Sequence, residues 1–172
     1  MAESFARKYR PKSFDEYMGE SVKTQIWNRF ASEDNFPQVV LLYGPRGTGK
    51  TSLARLMAKE YLCLSRVETE HGYHSCGVCE MCELIESGLI NGEAGTQVVD
   101  GVQEVDVAAD GGKANITEVL EDAVIEPNSI LKYKIVILDE VHMLSKQLQN
   151  ALLKLLEEPP KHLVIIMCTT DP

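Results

Sequence analysis

The chain has 172 residues, is 44% apolar and carries a formal net charge of −9. A chain near that length buries roughly 68–70% of its unfolded surface, so one globular domain is expected, and disordered, collagen-like and mini-protein classes are excluded. The longest apolar run, residues 163–168, is far short of the roughly 20 residues that span a bilayer, so no membrane partner is expected. The basic amino terminus (Arg7, Lys8, Arg10, Lys12) lacks the apolar stretch of a secretory signal, which makes the cytoplasm the expected address. Residues 1–60 hold ten Lys and Arg against seven Asp and Glu, and residues 61–172 hold seven against nineteen. Any polyanion is therefore expected on the first third.

In chain order, Val22, Ile26, Trp27 and Phe30 recur at helical spacing after Ser21. The run VVLLY, residues 39–43, ends in a Gly/Pro-rich loop, as a strand buried on both faces of a parallel sheet does. Leu53, Leu56, Met57, Tyr61 and Leu64, with Ala54 and Ala58 between them, predict a helix directly after the loop. Residues 88–112 contain six glycines, and Val102, Val105 and Val107 suggest a strand over 103–108. Ile116, Val119, Leu120, Ala123 and Val124 predict a helix capped by Asn115, with Glu118 at its third position and Pro127 stopping it. KIVILD, residues 134–139, is a second buried strand. Leu148, Ala151, Leu152, Leu155 and Leu156 mark a helix closed by Pro159 and Pro160, and LVIIMC, residues 163–168, is the last strand. Strands alternating with helices of this length imply an α/β fold with a mainly parallel sheet covered on both faces.

The loop between the first strand and its helix reads Gly44-Pro45-Arg46-Gly47-Thr48-Gly49-Lys50-Thr51, a full match to G-x-x-x-x-G-K-S/T in the strand-to-helix context that its mechanism needs. Its glycines let backbone N–H groups wrap a polyphosphate at the positive end of the helix. Lys50 adds a charge on the β and γ phosphates, and the Thr51 hydroxyl can ligate Mg²⁺. Such a site needs an acid at the end of a neighbouring strand. Asp139 supplies it for the magnesium shell, and Glu140 can polarise the attacking water as general base.

Cys63, Cys76, Cys79 and Cys82 are spaced C-x12-C-x2-C-x2-C. Disulfides and a redox dithiol are the competing readings. In a cytosolic protein, four such cysteines suit one closed, structural Zn²⁺ site better, within a small inserted module over residues 63–88. His71 or His74 could replace one cysteine. Cys168 is expected as a small buried apolar side chain.

Several stretches together resemble the tau/gamma family of bacterial clamp-loader ATPases of DNA polymerase III, in the AAA+ superfamily. They are ARKYRPKSF (6–14) with Gly19, GPRGTGKTSLAR (44–55), the cysteine cluster after that helix, ILDEVHML (137–144), NALLKLLEEPP (150–160) and TTDP (169–172). The four-cysteine insertion and the Glu157-Glu158-Pro159-Pro160 run are the specific signals; the phosphate loop alone would name only a vast superfamily. The resemblance implies a P-loop NTPase (AAA+) three-layer sandwich over residues 1–172 and an ATPase that works with other clamp-loader subunits in a hetero-pentameric ring. That ring opens the sliding clamp and loads it onto primed DNA. It also implies that Arg10 and Pro11 border the adenine, that Ser52 lies with the loop on the nucleotide, and that Thr169, with Thr170 as the alternative, is the sensor of the γ-phosphate. The family's Ser-Arg-Cys motif, lid and collar would follow Pro172, as would a fifth strand. An incomplete sheet, and slow turnover by these residues alone without an arginine finger from a neighbour, are expected.

Two other readings remain open on the sequence. A nucleotide-binding, non-hydrolysing assembly subunit would use the loop and zinc module as a scaffold, against which the retained Glu140 speaks. Another AAA+ remodeller, such as a branch-migration motor, would leave the cysteine cluster without a purpose.

Overall fold

The computed structural model describes residues 9–17, 19, 21, 24–26, 37–69, 72–87, 101–108, 113–127 and 130–171. Of the predicted helix after Ser21, Ser21, Thr24, Gln25 and Ile26 are helical and Ile26 packs against the core, whereas Val22, Trp27 and Phe30, the basic Arg7 and Lys8, His71 and most of residues 88–112 lie outside the described residues.

The main sheet is made of β1 (Val39–Tyr43), β4 (Val102–Asp106), β5 (Lys134–Asp139) and β6 (Leu163–Thr169), in the order β1-β6-β5-β4. Every pairing is parallel, with Tyr43 opposite Thr169, Leu138 opposite Met167 and Asp106 opposite Asp139. The carboxyl ends of all four strands therefore come out at one edge, where open α/β sheets bind ligands.

Period-two alternation sorts the strand residues between two cores. On one face Ile135, Ile137, Val164, Ile166 and Cys168 pack under α1 (Lys50–Leu62), which buries Leu53, Ala54, Leu56, Met57, Ala58, Tyr61 and Leu62. On the other, Val136, Leu138, Leu163, Ile165 and Met167 meet Ile116, Leu120 and Ala123 of α3 (Lys113–Ala123) and Leu148 and Leu152 of α4 (Lys146–Glu157). β5 is apolar over residues 135–138 and β6 over residues 163–168 because both of their faces are covered. The expected three-layer arrangement with a parallel central sheet is present.

Three expectations need correction. β1 is not buried on both faces: Val40 and Leu42 pack toward α1, whereas Val39, Leu41 and Tyr43 are exposed, since β1 is the edge of the described sheet. β4 runs over Val102–Asp106 and not over 103–108. Val102 and Val105 point to opposite cores, so burial on both faces hides the alternation that would have set its bounds. Asn115 lies inside α3, which starts at Lys113, so it is no cap; docking of the Ile116, Leu120 and Ala123 face extends the helix past a local capping preference. By contrast α4 starts on a true cap, with the Ser145 hydroxyl accepting from the Leu148 N–H at 3.4 Å.

Between α1 and β4 the chain forms a hairpin of β2 (Val67–Thr69) and β3 (Gly72–His74), then α2 (Glu80–Ser87). α2 buries Met81 and Ile85 in the core beside α1. No helix among the described residues is long and apolar enough to cross a membrane.

Ile137 is fully buried at the centre of the sheet. Ile137→Ala is expected to cost about 2–5 kcal/mol in equilibrium denaturation, and a loss under about 1 kcal/mol would show that the sheet centre is not the core.

Candidate functional site

The loop after β1 reaches the carboxyl edge of the sheet at its centre of chemistry. The Gly44 N–H donates to the Thr169 carbonyl at 3.2 Å, tying the loop's start to the end of β6. Gly47 and Gly49 adopt left-handed φ angles of 80° and 86°. At Gly49 a side chain would be strained by that φ, and its Cβ would lie 3.3 Å from the Tyr17 ring. Gly49 is also the residue from which α1 starts, so the free N–H groups of the helix open into the loop. Lys50 folds back, its ammonium donating to the Gly44 and Pro45 carbonyls at 2.9 and 3.0 Å. Thr48 closes the turn by donating to Pro45 O at 2.9 Å.

Opposite the loop stands the end of β5. The Thr51 hydroxyl donates to Asp139 Oδ2 at 2.5 Å, and the Glu140 N–H donates to Asp139 Oδ1 at 2.9 Å. Two residues 88 positions apart thus place a hydroxyl and a carboxylate side by side, the hard oxygen set that suits Mg²⁺. Glu140 itself has φ 52° and ψ 45°, a left-handed conformation that a non-glycine residue holds only at some cost. Its carboxylate is mostly buried, with Oε1 3.5 Å from the exposed Arg46 guanidinium and Oε2 3.5 Å from His142 Nδ1. Oε2 has no hydrogen-bond partner among the described residues. The structure therefore brings together Lys50, Thr51, Asp139, Glu140 and the end of β6. Ser52 follows within the first turn of α1.

Thr169 is buried, and its hydroxyl is already engaged. It donates to the Asp171 carbonyl at 2.7 Å, accepts from the Asp171 N–H at 3.1 Å, and lies 3.2 Å from His142 Nδ1. Thr170, one residue on, is half-buried. Arg10 and Pro11 stand next to Lys12, which is fastened to the far end of α1. The Lys59 ammonium donates to Lys12 O at 2.8 Å, and Lys12 pairs with Glu86 of α2 at 2.7 Å. Lys59 is roughly 13 Å along the helix from Lys50. The direct contact with the loop comes from Tyr17, whose hydroxyl donates to Thr48 O at 3.3 Å and whose phenol burial pushes above its ordinary pKa. Sequence reasoning missed Tyr17, since nothing local links it to a residue 31 positions away. It also missed the contacts of His142 with Thr169 and Glu140, and the bidentate pair of Arg55 with Glu104 at 2.6 and 2.7 Å that ties α1 to β4.

At the other end of α1, Cys63, Cys76, Cys79 and Cys82 converge, their sulfurs all within 4.8 Å of one another. Zn–S bonds near 2.3 Å set S···S near about 3.8 Å, so a small contraction closes the set around one ion. The Cys76 N–H donates to Cys63 Sγ at 3.2 Å and the Cys79 N–H to Cys76 Sγ at 3.3 Å. Burial pushes the Cys63 and Cys82 thiols up; at Cys79 burial is outweighed by backbone N–H groups of Cys82 and Leu64, which bring it to about 7. Four sulfurs with converging N–H donors fit a tetrahedral thiolate site for one soft metal ion. His74 does not join them: its Nδ1 faces Glu60 at 3.5 Å. That buried Glu60 also accepts from Ser75 N at 3.0 Å and Ser75 Oγ at 2.9 Å, which holds Cys76 beside the helix end carrying Cys63. Cys168 is buried on the face of β6 that α1 covers, where burial pushes its thiol up to about 12.

A family model described as "DNA polymerase III, delta subunit" matches residues 19–172. The chain belongs to that family. Among curated relatives, Escherichia coli DNA polymerase III subunit tau is 42% identical over 168 residues, covering 97% of this chain and 24% of its own length. Bacillus subtilis subunit tau is 36% identical over 166 residues, 96% of this chain and 27% of the relative. Buchnera aphidicola subunit gamma is 38% identical, covering 96% and 42%. The chain thus spans about a quarter of the tau relatives, and the resemblance to tau/gamma subunits is borne out. Among solved structures, a variant of Thermotoga maritima RuvB superposes with a TM-score of 0.58 at 19% identity, covering 96% of this chain and 43% of that one. That likeness concerns the fold alone, a parallel α/β sheet flanked by helices.

Proposed function

We propose that residues 1–172 are the ATP-binding and hydrolysing domain of a DNA polymerase III clamp-loader subunit, with a structural zinc module inserted at 63–88. The contact that carries the reading is Thr51 against Asp139 at 2.5 Å, because it sets two magnesium ligands beside the Lys50 loop with Glu140 next in sequence. Gly44, Pro45, Arg46, Gly47, Thr48, Gly49 and Ser52 wrap the phosphates, and the Lys50 ammonium exchanges its two loop carbonyls for β and γ oxygens. When bound, Mg²⁺ neutralises charge between those phosphates. Glu140 takes the proton of the attacking water, and Thr169 reports the γ-phosphate to the end of β6. Arg10 and Pro11 border the base. Cys63, Cys76, Cys79 and Cys82 hold Zn²⁺ and lock α2 and the hairpin to α1.

In a ring with other clamp-loader subunits, ATP binding assembles the grip on the sliding clamp and hydrolysis releases it on primed DNA, in the bacterial cytoplasm. The test is clamp loading onto primed DNA by the full-length protein with its partner subunits. Lys50→Ala is expected to lower the loading rate at least about a hundredfold, and loading at the wild-type rate would contradict the proposal.

A further inference from the structure

We propose that His142 is a positioning residue that couples Glu140 to Thr169 through the proton on its Nδ1. The inference rests on the roles just proposed for those two residues. His142 lies on the single 3-10 turn after β5 (Val141–Met143), directly behind the left-handed Glu140. Its Nδ1 is 3.2 Å from Thr169 Oγ1 and 3.5 Å from Glu140 Oε2, so one ring nitrogen faces both side chains.

Counting protons fixes who donates. The single Thr169 hydroxyl proton goes to the Asp171 carbonyl at 2.7 Å, which leaves Thr169 Oγ1 only as an acceptor toward the imidazole. The carboxylate of Glu140 is an acceptor as well. Nδ1 must therefore carry the proton in the neutral ring, and that one N–H can serve only one of its two acceptors well. In this structure it serves Thr169, and Glu140 Oε2, although buried, is left without a hydrogen bond. An unpaired buried carboxylate oxygen draws a donor strongly. When the Thr169 side chain rotates to present its hydroxyl to a γ-phosphate, Oγ1 moves away from both Asp171 and His142, and the His142 N–H turns to Glu140. The carboxylate is then steered and held by His142 on Oε2 and Arg46 on Oε1. Arg46 is highly exposed, so water screens its hold, and the half-buried His142 is the firmer of the two. The base is thus oriented only after the sensor has found its phosphate.

Asparagine and glutamine separate this role from mere packing. An Asn Nδ2 reaches the place of imidazole Nδ1, whereas a Gln Nε2 reaches the place of imidazole Nε2. ATP turnover by the full-length protein in its assembled ring, with clamp and primed DNA, is measured for His142→Asn, His142→Gln and His142→Ala. Asn is expected to keep kcat within about threefold of wild type, while Gln and Ala lower it about tenfold with KM and equilibrium ATP binding unchanged. A Gln variant as active as Asn, an Ala variant as active as wild type, or a loss that falls on KM alone would each overturn the coupling. Should Ala fail to fold, the Asn and Gln pair still decides. Glu140→Gln in the same assay keeps the two proposals apart: full activity there sinks the assignment of the base, while its loss together with an active His142→Gln sinks only the coupling.

Discussion

Glu140→Gln is expected to lower ATP turnover by about 10²–10⁴-fold while leaving ATP binding intact. The amide matches the carboxylate in shape, so the left-handed backbone at this position, the Glu140 N–H bond to Asp139 Oδ1 and the short contact of Thr51 with Asp139 all persist. What disappears is the carboxylate charge that lets this side chain take a proton from water. The Arg46 and His142 neighbours, both at 3.5 Å, contribute little to the fold by comparison. Phosphate release by the assembled ring and ATP retention on the same preparation are the readouts. A turnover within about twofold of wild type would mean that another group activates the water.

Removing the metal is expected to have the largest effect on stability. Structural zinc contributes apparent free energies of about 10–16 kcal/mol in small zinc-dependent peptides. Here part of the module is anchored without it, through Met81 and Ile85 in the core and through Glu60 with Ser75, so a smaller loss is expected in the whole domain. The full-length protein should carry one zinc per four clustered thiols. A strong chelator, or Cys82→Ser at the buried fourth position, should lower the thermal midpoint by about 10 °C or more and open residues 63–88 to protease. A metal content well below one zinc per chain, or a midpoint unmoved by chelation, would rule out the closed thiolate site.

Much of this was legible in the sequence because the signals were local. The apolar runs of β1, β5 and β6, the glycine pattern of the loop, the acid after β5 and the cysteine spacing each sit within a few residues of one another. The three strands were placed to within a residue of their observed bounds. What stayed hidden depends on pairings that only the fold creates. Tyr17 meets Thr48 across 31 positions, and Arg55 meets Glu104 across 49. His142 reads as an ordinary residue after an acidic pair until parallel β5 and β6 bring it to Thr169. Glu60 looks like a solvated helix residue, yet the hairpin folds over it and Ser75 and Arg66 satisfy its charge. The exposure of Leu41 and Tyr43 was likewise invisible, since an apolar run says nothing about which neighbours cover it. For Arg10 and Pro11 the place beside the nucleotide rests on the family resemblance, since no local pattern marks them; the bonds of the adjacent Lys12 fix their segment to α1 and α2.

The claim at the centre is that Thr51 and Asp139 form the magnesium position of an ATP site. The most direct measurement is equilibrium ATP binding by the full-length protein with and without Mg²⁺, for wild type and for Thr51→Val. Magnesium should tighten ATP binding by about tenfold or more in the wild type, and Thr51→Val should lose that gain while keeping its magnesium-free affinity. No ATP binding by the wild type, or the same response to magnesium in both proteins, would contradict the claim.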